Sequence, residues 1–154
     1  MSNDDSISIH NKLSRITSKC LLETIKNIIL GKIKLKKQDN SRASYARKLT
    51  KEEAKISWQL SSTEIYNKMK AFRPFPGVFT KYKLEKYKII KGKPFNKKHN
   101  LKPGTILSTK KDFLIACGKN TIFKIELIQK SGKKILDSNE FLLGSKMKTG
   151  DQFE

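Results

Sequence analysis

The amino-acid sequence predicts a mainly β fold with a helical lead-in. Apolar residues in the first third recur at helical spacing. Later runs are short, alternating and rich in Ile, Phe, Tyr and Thr. The stretch "KAFRPFPGVF", Lys70 to Phe79, divides the two regimes, because each proline disfavours helical geometry at the residue before it. Five strand-like runs behind such a lead-in suggest an OB-like five-stranded barrel preceded by an N-terminal helix and a linker.

From the N-terminus, Leu13, Ile16, Leu21, Ile25 and Ile28/Ile29 line one side of a helix, with Gly31 as its stop. This apolar stripe has little of its own to pack on. The basic stretch "GKIKLKKQDNSRAS" reads as a linker. Thr50 and Glu53 then form a capping box for a short helical turn ending near Trp58. Ser61 and Glu64 repeat the device before a helix whose Ile65, Met69 and Phe72 share a face. The Pro74–Gly77 elbow follows, with Phe75 expected against the core. The strands are "VFTKY", "KYKII", "TILST", "FLIAC" and "TIFKIELIQ". In the last of these Phe123, Ile125 and Leu127 are expected on the inner face. "KGKPFNKKHNLKPG" reads as an exposed loop, "DSNEFLLG" as a short helix capped by Asp137 or Ser138, and "SKMKTGDQFE" as a frayed tail.

The formal charge is +20 over 154 residues. Lysine supplies nearly all of it, since Arg15, Arg42, Arg47 and Arg73 are the arginines. Two explanations stay open: a polyanionic partner such as RNA, DNA or anionic lipid, or codon usage biased toward A and T. Position favours a partner. Between Lys81 and Lys134 there are 16 lysines against Glu85, Asp112 and Glu126, a net +13 in about a third of the chain. No apolar run is long enough to span a membrane. Cys20 and Cys117 stand far apart, and His10 and His99 lack ligand-type neighbours. Neither a metal site nor a disulfide framework is indicated, which fits a reducing cytoplasm. Cys117 alternates with Ile115 and Phe113 and is expected buried and inert.

Six segments in order resemble one family: "YARKLTKEEAKISW", "KAFRPFPG", "KPGTIL", "IACG", "IELIQKSGKK" and "EFLLG". The chain from linker to barrel is similar to the C-terminal domain of methionyl-tRNA formyltransferases. Its first segment resembles the last helix of that family's catalytic domain plus the interdomain linker. The resemblance thus implies residues 1–38 as a remnant of catalytic domain and linker, and 39–154 as an OB-like tRNA-binding domain. Ser57 stands where the family usually has an acidic or amide residue, and Lys70 where it often has Arg. The family transfers a formyl group from 10-formyltetrahydrofolate to initiator Met-tRNA in the cytoplasm. Its Asn, His and Asp belong to a catalytic domain that this sequence lacks, so no catalytic, cofactor or metal residue carries over.

The expectation is a monomeric chain that binds initiator tRNA without catalysing transfer alone. The alternatives are one half of a split enzyme working with a separate catalytic chain, or a decayed remnant. A related domain of a sugar or aldehyde formyltransferase is a further possibility that the lysine density disfavours. Candidate RNA contacts are Arg47, Lys48 and Lys51 near the linker, Arg73 on the elbow, and Lys133 and Lys134 after Gly132. Each has a plainer reading. The lysines could simply be solvated, and Arg73 could make a salt bridge or cap the helix C-terminus. Trp58, Phe72 and Phe75 could stack on bases but read better as core anchors.

Overall fold

The computed structural model describes residues 4–154 and divides into two units, Met1–Leu49 and Thr50–Glu154. In the first, helix α1 spans Ser6–Ile29 and starts earlier than the apolar stripe alone suggests. Asp5 caps it: its side chain accepts from the Ser8 N–H while the Ser8 hydroxyl accepts from the Asp5 N–H. The helix ends at Leu30, and Gly31 takes a φ of +66°, where a side chain would be strained. None of its residues is buried. Leu13, Ile16, Leu21, Ile25, Ile28 and Ile29 are all exposed.

In the second unit both capping boxes form. Glu53 Oε2 accepts from the Thr50 N–H at 2.8 Å, opening a single 3₁₀ turn, Glu52–Ala54, that stops short of Trp58. Ser61 and Glu64 cap helix α2, Ser62–Ala71, which buries Ile65 and Met69. The Glu64 carboxyl is held down to about 2, chiefly by the Ser61 hydroxyl. The elbow closes through the Gly77 N–H on the Phe72 carbonyl at 2.9 Å, with Gly77 at φ +74°. Phe75 contradicts its expected placement. Phe75 lies on the short segment that the Gly77–Phe72 bond closes off, and it is 71% exposed, whereas Phe72 and Trp58 are buried.

Five expected strands form: β1 Val78–Tyr82, β2 Glu85–Phe95, β3 Ile106–Ser108, β4 Phe113–Ala116 and β5 Ile122–Lys130. A sixth, β6 Ile135–Asp137, pairs with β5 ahead of helix α3, Ser138–Leu143, which Asp137 caps. All pairings are antiparallel, in the order β1-β2-β5-β4-β3, giving a curled OB-like sheet. Strand β2 runs through Phe95, so the supposed loop after Ile90 begins five residues late. A bulge at Lys91 shifts the register opposite β5. In consequence Phe123 and Ile125 point inward as expected, but Ile128 takes the next core place and Leu127 is only half-buried.

The seam between β1 and β3 is spanned by the C-terminal residues, which are docked rather than frayed. Ile106 N–H donates to the Asp151 carbonyl, Phe153 N–H to that of Gly104, and Glu154 N–H to that of Lys81, all within 2.9 Å. Phe153 stacks on Trp58 at 5.7 Å between ring centres, and Met147 is also buried. An apolar ring in reach of a core gap outweighs the polar character that makes this stretch look loose. Gly118 is needed where the 57–60 segment crosses the β4–β5 turn. Its N–H donates to the carbonyls of Trp58 and Leu60, and any Cβ there would strike the Gln59 carbonyl.

Candidate nucleic-acid interface

The register decides which lysines share a face. On β1, Val78, Thr80 and Tyr82 are buried, so Phe79 and Lys81 point outward. Across the ladder Phe79 faces Lys88, Lys81 faces Lys86, and Lys88 faces Gln129 of β5. Lys81, Lys86 and Lys88 therefore form one outward basic group, with Lys86 Nζ 3.7 Å from the centre of the Phe79 ring. The Ser131 N–H donates to the Lys86 carbonyl at 3.0 Å, which sets the β5–β6 turn beside that group. Lys133 and Lys134, both exposed, ride on this turn, with Gly132 at φ +73°. Gln129 Nε2 donates to the Lys133 carbonyl at 2.7 Å and steadies it.

Acidic partners lie elsewhere on the sheet. Glu126 takes Lys93 at 2.9 Å and Lys91 at 3.4 Å, which hold its carboxyl below the usual range. Asp112 takes Lys124 at 2.5 Å, lowering the acid and raising the lysine. Glu85 takes Lys130 at 2.7 Å, and that contact, with the Tyr87 hydroxyl, lowers Glu85. Burial, then Glu85, pushes the Tyr87 phenol up. Every acid between Lys81 and Lys134 is thus matched by lysine. Lys81, Lys86, Lys88, Lys133 and Lys134 have no carboxylate partner among the described residues. These five ammonium groups make a positive strip at one end of the sheet, apart from the lysines that Glu126, Asp112 and Glu85 hold.

The other candidates lie on other segments of the chain. Lys51 is exposed just before the 3₁₀ turn, and Arg73 is exposed on the elbow after α2. Arg47 and Lys48 are exposed in the first unit. Of the six, the structure brings together Lys133 and Lys134. Lys81, Lys86 and Lys88 were visible in the sequence only as lysines alternating with other residues. Cys117 is fully buried, and burial pushes its thiol up to about 12, so it is inert. Among the described residues no helix is long and apolar enough to cross a membrane.

The family model for the formyl transferase C-terminal domain matches residues 48–146. The chain belongs to that family. Among curated proteins, the methionyl-tRNA formyltransferase of Rickettsia bellii is 40% identical over 90% of this chain and 44% of its own length. That of Pelagibacter ubique is 37% identical over 97% and 47%. The chain therefore spans about half the length of these relatives. Among solved structures, a variant of HypX from Aquifex aeolicus has a TM-score of 0.64 at 19% identity, covering 97% of this chain and 29% of that one. At that identity the likeness shows a shared fold. Two segments that carry the resemblance, "KAFRPFPG" and "IACG", form the elbow and the Gly118 crossing here.

Proposed function

We propose that this chain is the tRNA-binding C-terminal part of a methionyl-tRNA formyltransferase acting in translation initiation. It acts in the cytoplasm as a monomer, adding affinity for initiator Met-tRNA through charge and shape. Formyl transfer from 10-formyltetrahydrofolate would be performed by residues outside this chain, which alone would be inactive. The observation that carries the reading is the strip of lysines without carboxylate partners, Lys81, Lys86, Lys88, Lys133 and Lys134. Ammonium groups on the sheet and its β5–β6 turn that have no carboxylate partner meet phosphates without first breaking an ion pair. Lys51 and Arg73 would add contacts, as would Arg47 and Lys48 from the first unit.

Filter binding of the 154-residue chain to initiator tRNA across a salt series tests this. Affinity should fall steeply as salt rises, and a flat dependence overturns the reading. Formylation of Met-tRNA by the purified chain would overturn the expected inactivity.

A second reading rests on α1. Its apolar stripe is exposed along its length, and the relatives carry about as much chain again. A separately made catalytic domain could dock there and restore formyl transfer. Mixing the chain with the catalytic half of the Rickettsia bellii relative should then produce formylation that Leu21→Asp and Ile25→Asp abolish. No formylation from the mixture rejects this version.

A further inference from the structure

A cleft of about 540 Å³ opens where the end of β2 passes the β4–β5 turn, away from the lysine strip. One wall is apolar, made of Pro94 and the half-buried Phe95. Around it stand the amides of Asn96 and Asn120 and the ammonium groups of Lys97 and Lys98, all on exposed residues. Lys97 Nζ lies 5.9 Å from the Phe95 ring centre. The size falls in the range of about 300–1,000 Å³ usual for small-ligand clefts.

Both sides of the cleft are held in place. His99 Nδ1 accepts from the Leu101 N–H at 3.1 Å, and its Nε2 sits 2.9 Å from the carbonyl oxygens of both Cys117 and Thr121 and 3.2 Å from the Cys117 nitrogen. The loop bearing Asn96 to Lys98 is thereby clamped to the turn. The turn itself places Lys119 and Asn120 at φ +55°, both left-handed, as a two-residue type I′ turn requires. For lysine this is an unfavourable conformation, and Lys119 is retained there with its ammonium 3.3 Å from Glu64. Ser62 N–H donates to the Thr121 hydroxyl at 2.8 Å and braces the same turn.

An apolar ring, two amides and two adjacent cations match one chemistry: a flat heteroaromatic base with a phosphate attached. We infer that this cleft binds one unpaired nucleotide of an RNA strand, its base against Phe95, its edge on Asn96 or Asn120 and its phosphate at Lys97 and Lys98. The inference deepens the RNA-binding reading by adding a stacking site to an electrostatic strip, and it reads unpaired RNA where the strip meets backbone charge.

The probe is a 5′-fluorescein-labelled heptamer of uridines, titrated by anisotropy with the full chain, alongside amide chemical-shift mapping by NMR. Binding should shift the amides of residues 95–98 and 118–121. Phe95→Ala should weaken binding about tenfold, the usual cost of losing one stacked base. Phe95→Tyr should keep it. Asn96→Ala with Asn120→Gly, the glycine suiting the left-handed turn, should weaken it several-fold. Unchanged affinity in folded Phe95→Ala, or in the folded double variant Asn96→Ala with Asn120→Gly, overturns the inference, as do shifts confined to the Lys86 and Lys133 region. Equal shifts from AMP at the same concentration overturn it in favour of a free-nucleotide site, and displacement of the heptamer by an acidic peptide in favour of a protein partner. Lys133→Ala with Lys134→Ala separates the two proposals. Weaker tRNA binding there with heptamer shifts intact supports both, and full tRNA binding there with shifts intact rejects the strip while supporting the cleft.

Discussion

The indole N–H of Trp58 donates to the buried hydroxyl of Thr80 at 2.9 Å, joining the segment before α2 to the middle of β1. Both residues are almost fully buried, so neither group has water as a substitute. Thr80→Val keeps the shape and the β-branched fit to the strand but leaves the indole N–H unpaired. The expected cost is about 1–3 kcal/mol, read as a lower urea midpoint with an unchanged slope. A midpoint equal to that of the parent chain would count against the bond.

The same indole stacks on Phe153, which fastens the C-terminal residues across the β1–β3 seam. Phe153→Ala removes a ring that also meets Tyr82 and Phe113. Truncating a buried phenylalanine costs about 3–5 kcal/mol, a large share of the stability of a domain this size. A loose tail would instead give no change, so one urea curve decides between the two descriptions.

What the sequence disclosed and what it hid divide by range. Ser61 with Glu64 and Thr50 with Glu53 are contacts three residues apart, and residue type alone announces them. The strands show in their period. Phe153 meeting Trp58 spans most of the domain, and nothing in "GDQFE" signals it. The inward turn at Ile128 rather than Leu127 depends on a bulge in the neighbouring strand at Lys91. Phe75 fails for a related reason: its prolines constrain the backbone but do not say which way the ring points. The site follows the same division. Lysine density was legible, yet which ammonium groups are paired depends on register and on where Glu126 and Asp112 reach. His99 had no recognisable neighbours in sequence because its partners are carbonyls of Cys117 and Thr121.

Asp151 gives the tail an acid-sensitive fastening. Its carboxyl is held below its ordinary 3.8, first by the Tyr82 hydroxyl at 2.6 Å and then by the Lys148 N–H. The folded value lies below the unfolded one, so this stabilisation is present above about pH 4 and is lost as pH falls through the folded value. Tyr82→Phe removes the largest cause. Between about pH 6 and about pH 2.5, the urea midpoint of the parent chain should fall further than that of Tyr82→Phe. Equal falls would show that the hydrogen bond does not couple to folding.

The lysines on the sheet differ in what they are already doing, and that difference predicts which ones RNA will feel. Lys133 and Lys134 have no carboxylate among the described residues, while Lys91 and Lys93 are drawn to Glu126 at 3.4 and 2.9 Å. A lysine bound to an acid must give up that contact before it can neutralise a phosphate and release its counterion. Each direct phosphate contact adds about 0.7–0.9 to the slope of log affinity against log salt. Lys133→Ala with Lys134→Ala should therefore weaken initiator-tRNA binding by a similar factor for every tRNA tried and lower the slope by about one to two. Lys91→Ala with Lys93→Ala removes the same formal charge but should leave the slope nearly unchanged. If both pairs flatten it equally, total charge governs binding and the strip has no special place in it.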